Sequence, residues 1–183
     1  MDDRAVVAAT RQWVEKAVIG LNLCPFARAV YVKNQVRFAV SRAPHPDGLL
    51  EDLDRELDFL AAADPDEVDT TLLIHPTLLP DFLDFNDFMQ LAEVAVAEHE
   101  LEGVIQIASF HPGFRFEGTG PDDMGNYTNR APFPTLHLLR EASITRAVAT
   151  FPETETIYER NIETLKALGP SGWAALWATH PER

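Results

Sequence analysis

Thr70-Thr71-Leu72-Leu73-Ile74-His75-Pro76 is a β-branched and aliphatic run closed by a proline, short enough for a buried strand. An amphipathic stretch of about Phe85 to His99 follows, with Phe88, Leu91, Ala92, Ala95 and Val96 on one side. Gly103 then opens a second run, Val104 to Phe110, closed by His111-Pro112. Strand, helix and strand in this order form a βαβ unit. Reading towards the N-terminus, Leu49, Leu50, Leu53, Leu57 and Leu60 mark another amphipathic helix, which Asp64-Pro65 ends. Before it, Gln35 to Ser41 alternates Val36, Phe38 and Val40 on one side, as a half-buried strand does. Parallel crossovers of this kind are right-handed in about 98% of cases. The pattern predicts an α/β fold: a single domain over 1–183, with a small, mostly parallel sheet of about three or four strands covered by helices.

The flanking segments read as helices. Thr10, Trp13, Val14, Ala17, Val18 and Leu21 recur at helical spacing, which predicts a first helix over about Asp3 to Ile19, stopped by Gly20. The C-terminal third is predicted to be helical, over Thr135 to Thr150 and Glu153 to Leu168 on either side of Pro152. Ser171 is placed as the cap of a last short helix carrying Trp173, Leu176 and Trp177.

The charge balance narrows the partners. With 29 acidic against 15 basic residues the 183-residue chain carries a formal charge of −14, which repels a phosphate backbone and argues against nucleic acid and anionic membranes. No stretch approaches the ~20 apolar residues of a spanning helix. The acidic start Met1-Asp2-Asp3 lacks the charged n-region of a signal peptide, and a single cysteine, Cys24, fits a reducing compartment; the expected location is cytoplasmic.

The segment His111 to Pro134 has no helical or strand period, and it is longer than a plain connector in a compact domain. Its Phe114, Phe116, Tyr127 and Phe133 argue against disorder. His75 and His111 both end strands, and in a parallel sheet those ends share the edge where open α/β folds bind ligands. Each is either a strand cap or a group reaching one crevice. If Thr135 to Thr150 is helical, His137, Arg140 and Glu141 project from one side among apolar residues, where unpaired charge is costly. They then form either a structural network or, with Asn126, Asn129 and Arg130, a site that clamps an anion while His111 and His137 move protons. Cys24-Pro25 suits a helix start, which would aim a helix dipole at the sulfur and favour a thiolate; the other reading is a small buried residue. His111, His137 and Glu141, or Asp123, are the candidate metal ligands, on a weak spacing signal. The chain has no HExxH, P-loop, GxSxG or GxGxxG run, so no motif implies a cofactor.

Three stretches carry a family resemblance: Gly20-Leu21-Asn22-Leu23-Cys24-Pro25-Phe26-Ala27, then Gln106-Ile107-Ala108-Ser109-Phe110-His111-Pro112, then Asn126 to Pro134 with Leu136-His137-Leu138-Leu139-Arg140-Glu141-Ala142. Together the chain resembles the domain of unknown function 1415 family over nearly its whole length. The resemblance implies a compact bacterial-type cytoplasmic protein and supplies no reaction. The family's loop reads Ser-Pro-Tyr-Pro where this chain has Ala131-Pro132-Phe133-Pro134, and Asp-Tyr-Gln where it has Gly113-Phe114-Arg115. Relative to that loop, one hydroxyl at Ala131 and one at Phe133 are missing here as possible catalytic groups.

Two function classes follow. One is a small-molecule enzyme acting on an anionic substrate, with Cys24, His111 and His137 as reactive groups and Asn126, Asn129, Arg130, Arg140 and Glu141 binding, all converging at the carboxyl edge of the sheet. The other is a non-catalytic protein that binds an anionic ligand or a partner chain, with the polar cluster structural.

Overall fold

A computed structural model describes residues 1–150 and 156–178. Helix α1, Asp3–Trp13, is capped by the Asp2 carboxylate accepting from the Ala5 N–H and runs on as a π-helical segment, Val14–Ile19. The chain is held so tightly at the end of that segment that a Cβ on Gly20 would lie 2.2 Å from the Lys16 carbonyl oxygen. A short helix α2, Ala27–Val32, leads into β1, Val36–Val40. Then come α3, Pro46–Ala62; β2, Thr70–Ile74; α4, Phe82–Glu98; and β3, Ile105–Phe110. The long segment after β3 contains a 3-10 helix, Met124–Asn129, and ends in β4, Thr135–Arg140. Helix α5, Glu141–Thr150, and helix α6, Ile157–Trp177, complete the chain.

The sheet order is β1-β2-β4-β3. β1 and β2 pair in parallel, but β4 lies between β2 and β3 and is antiparallel to both. The sheet is therefore mixed, which corrects the expectation of a mostly parallel one. Thr135–Arg140 is the reason, since the helical spacing expected from Thr135 holds only from Glu141. A strand this short, alternating only from Thr135 to Leu138 before Leu138 and Leu139 fall side by side, does not separate strand from helix in a sequence. The helical period of α5 then extends backwards over it without contradiction.

Helices α3 and α4 close one face of the sheet. Leu49, Leu53, Leu57 and Leu60 of α3 and Phe85, Phe88, Ala92 and Ala95 of α4 pack on Leu73, Leu136, Leu138 and Ile105. The predicted inward face of α4 holds except at Leu91, which is exposed. On the opposite face, Val6, Trp13, Val14 and Ala17 cover Leu72 and Ile74, as the spacing of the first helix predicts. The start expected for α6, residues 153–155, lies outside the described residues. α6 bends at Gly169 (φ 64°), just before Pro170, which divides it close to the predicted boundary at Leu168.

His99, the C-cap of α4, ties α4 to α3: Nδ1 lies 2.8 Å from Asp58 Oδ1 and Nε2 3.1 Å from Asp54 Oδ1. Desolvation lowers its pKa, but the two carboxylates outweigh it and the net shift is upward. A raised folded-state pKa stabilises fully below the ordinary value of about 6.5 and is lost as pH rises through the raised value. His99→Gln should therefore lower the urea midpoint at pH 5.5 and leave it nearly unchanged at pH 9. Equal losses at both pH values would show that the ring acts by packing alone.

Candidate functional site

Residues that alternate along the strands share a face. Thr70 and Leu72, His137 and Leu139, and Gln106, Ala108 and Phe110 stand together on the α1 side of the sheet. There α1 and the π segment cover the β1–β2 half and, through Trp13 against Phe110, the end of β3, and helix α5 buries none of its residues. The uncovered half floors a cavity of about 1000 Å³, walled by Trp13, Val14 and Val18, by Cys24 to Ala27, and by Ser143, Ile144 and Ala147 of α5. π-helical turns recur at functional sites because they widen a helix locally. Here the π segment supplies Val14 and Val18 to the wall.

His137 is the polar group of the floor, with its ring 5.9 Å from that of Phe110. Its Nε2 lies 2.8 Å from Thr70 Oγ1, and Thr70 Oγ1 lies 2.6 Å from the Leu138 carbonyl oxygen. A hydroxyl has one proton, and a carbonyl oxygen can only accept. Thr70 therefore donates to Leu138, and His137 Nε2–H donates to Thr70. Nδ1 is left as the acceptor of the ring and has no hydrogen-bond partner among the described residues. The fully buried unpartnered oxygens include Thr71 Oγ1 and Thr128 Oγ1, whereas His137 is only partly buried and lines the cavity. Desolvation holds the imidazole neutral, with its pKa lowered to about 4.

The other candidates go elsewhere, which corrects the expected convergence. His111 is 1% exposed; its Nε2 donates to the Leu79 carbonyl (3.0 Å), its Nδ1 accepts from the Gly113 N–H (2.9 Å), and Phe85 stacks on the ring. His75 repeats the device, with Nε2 on the Ala43 carbonyl and Nδ1 accepting from the Leu78 N–H. Both rings are satisfied strand-end caps, held neutral chiefly by desolvation. Asn126 organises the loop: its Oδ1 accepts from the Phe116 N–H and the Thr119 hydroxyl, and its Nδ2 donates to the Gly120 carbonyl. Asn129 Nδ2 donates to the Ser109 carbonyl. The Arg130 guanidinium donates to the Phe114 and Pro121 carbonyls over the Tyr127 ring. These are loop-building contacts, and the aromatic residues close a small core of their own, with Phe114 against Phe82 and Phe116 and with Phe116 against Tyr158.

His137 and Arg140 share a strand rather than a helix face, and their separation of three puts them on opposite sides of it. Both border the cavity, but the Arg140 guanidinium is taken up by the Leu60, Ala63 and Val68 carbonyls at and beyond the end of α3. Glu141 begins α5, its N–H donating to the Val104 carbonyl. Asp123 caps the 3-10 helix through the Gly125 N–H. No group of three His, Cys, Asp or Glu among the described residues is placed to hold a metal ion, so the candidate ligands His111, His137, Glu141 and Asp123 do not form a site. Ala131 and Phe133 pack in the α1-side core, where a hydroxyl would need a partner.

A family model described as "Protein of unknown function (DUF1415)" matches residues 5–175 of the 183. The chain belongs to this family. No curated protein and no solved structure gives a match.

In this DUF1415 chain Thr70 is the residue that sequence reasoning missed. Its signal is its strand position two residues before Leu72, opposite the inserted strand, and that position has meaning only once β4 is known to be a strand. Cys24, by contrast, does line the cavity. It is not a helix N-cap: α2 begins at Ala27 with Phe26 as its cap, and the Cys24 carbonyl accepts from the Ala27 N–H in a turn. Burial pushes the thiol pKa up against the smaller pull of the Phe26 and Ala27 N–H groups, which corrects the expected thiolate. The rate of iodoacetamide alkylation should therefore have its midpoint above the ordinary ~8.5. A midpoint at or below 7 would show the sulfur stabilised as a thiolate.

Proposed function

We propose that this protein binds a small, largely apolar organic molecule in the cavity on the α1 side of its sheet. The observation that carries the reading is a cavity of about 1000 Å³ whose walls are apolar and whose floor holds a polar group with an open acceptor, His137. Ligand sites are typically concavities of roughly 300–1,000 Å³ with hydrophobic linings and a few placed polar groups. The apolar wall of Trp13, Val18, Leu72, Phe110 and Ile144 meets that description.

The charges at the rim are mixed. Lys33 and Arg146 stand against Asp64, Asp66 and Asp69, and Arg146 lies 4.0 Å from Asp69. With Arg140 already occupied by carbonyls, this balance favours a neutral ligand over the anionic one expected from the arginines in the sequence. The high acidic content and single thiol fit a cytoplasmic setting.

A catalytic reading has one observation in its favour: Cys24 and His137 line the same cavity. Burial keeps the thiol protonated and the imidazole neutral, so the chemistry within reach is proton abstraction at Nδ1 rather than attack by a preformed thiolate.

The test uses N-phenyl-1-naphthylamine, a neutral probe that brightens in apolar surroundings, with variants that fill the cavity from two sides, Ala108→Trp and Ala147→Trp. The wild type should bind the probe, and each filled variant should bind at least about tenfold more weakly, a loss of about 1.4 kcal/mol, while unfolding at an unchanged temperature. Binding that survives both substitutions in folded protein would place the probe elsewhere and remove the reading.

A further inference from the structure

From the Leu138–Thr70–His137 relay we infer that the cavity selects ligands carrying a hydrogen-bond donor, a hydroxyl or N–H on an apolar body, by presenting His137 Nδ1 as a fixed acceptor. The inference rests on the cavity reading above and adds the chemical class of the ligand. The relay is directional at every step. Leu138 contributes a main-chain carbonyl, locked in a strand that is paired on both sides, and it accepts the only proton of Thr70 at 2.6 Å. Thr70 is 5% exposed and β-branched, so few rotamers are open to its hydroxyl. With its proton committed, the hydroxyl offers only lone pairs to Nε2 at 2.8 Å, and the ring proton must sit there. The remaining ring nitrogen is the acceptor of a side chain that lines the cavity.

Other polar side chains at the lining are committed or peripheral. Gln35 Nε2 donates to the Asp66 carbonyl, the Ser143 hydroxyl to Asp69, and the Arg140 guanidinium to three carbonyls. Gln106 and Lys33 are exposed, Gln106 opposite Leu139 and two residues along the strand from the Ala108–His137 pair. A ligand acceptor, such as a carboxylate or ether, therefore finds no donor at His137, whereas a phenol or an amine N–H does. Protonating the ring to serve an acceptor is resisted by the desolvation that holds its pKa low. Thr70 acts as a positioning residue: it touches the ring and not the ligand.

The test pairs 4-ethylphenol with 1-ethyl-4-fluorobenzene, which has nearly the same shape and no donor. Binding of each to the wild type, His137→Leu and Ala108→Trp is followed by ligand-detected NMR. The ratio of the two affinities should favour the phenol about tenfold or more over the same ratio in His137→Leu, with the fluoro compound bound about equally by both proteins. Nitrogen-15 spectra of the wild type should show His137 protonated at Nε2 and bare at Nδ1, and Thr70→Val should mix the two tautomers. An unchanged ratio in His137→Leu, with both compounds excluded by Ala108→Trp, would overturn the inference while leaving the cavity reading intact. A wild-type ring protonated at Nδ1 would also overturn it. Failure of both compounds to bind, or binding indifferent to Ala108→Trp, would overturn the cavity reading and the inference with it.

Discussion

Strand β4 is hydrogen-bonded along both edges, to β2 on one side and β3 on the other, and the arrangement of the whole molecule depends on that insertion. The crossover through α4 leaves β2 and returns at β3, parallel to it but one strand away. That gap is filled only after the chain has run through the loop of residues 111–134 and doubled back. The loop is long because it must carry the chain from the end of β3 to the start of an antiparallel neighbour while covering the end of the sheet. Its contacts hold that path in place: the Asn129 carbonyl accepts from the His111 N–H, Asn129 Nδ2 reaches the Ser109 carbonyl, and Arg130 gathers two loop carbonyls. What looks in the sequence like a ligand-binding loop is the scaffold that lets β4 enter the sheet.

The same insertion explains why the two faces differ. Helices α3 and α4 both belong to crossovers, and a right-handed crossover puts its helix on one particular side of the sheet. Both therefore close the same face, with four leucines of α3 in register on its core side. The other face is left to α1, to short α2 and to α5, which has no crossover to constrain it. Only α1 packs fully on the sheet, and the β4–β3 half stays open beneath the cavity. The cavity thus follows from the topology.

Elements with an unambiguous period were legible in the sequence. Leu49, Leu53, Leu57 and Leu60 repeat at helical spacing with mostly acidic and basic residues between them, and Val36, Phe38 and Val40 alternate on an edge strand. The 135–140 segment gave an ambiguous signal, because Thr135 to Leu138 alternates polar and apolar for only four residues before Leu138 and Leu139 fall side by side, and Leu136, Leu139 and the α5 residues that follow also fit a helical spacing. That one ambiguity carried through to the site. Taken as helical, His137, Arg140 and Glu141 form a cluster; as a strand, His137 and Arg140 separate to opposite faces, and the true partner of His137 is Thr70, 67 residues away. His75 and His111 show the complementary limit: a His-Pro strand end looks the same whether the imidazole caps its own turn or faces a ligand, and only the Ala43 and Leu79 carbonyls decide it. The family match spans the chain and describes a protein of unknown function, so the chemistry has to be argued from side-chain geometry.

Leaving half a sheet face open forfeits burial that α5 would otherwise gain, since Ile144 and Ala147 face the cavity and no residue of α5 is buried. The closed face compensates through its leucine-rich contacts, so the fold does not depend on α5 for its core. A ligand in the cavity would occupy the space between sheet and helix and contribute the apolar contact that α5 lacks. Binding and the packing of α5 are then linked: a molecule that binds only the folded state adds about 2.7 kcal/mol of stability at a hundred times its Kd. The asymmetry that opens the cavity makes α5 the element whose protection from hydrogen exchange should respond most to occupancy, because α3 and α4 are already packed to completion on the other side of the sheet.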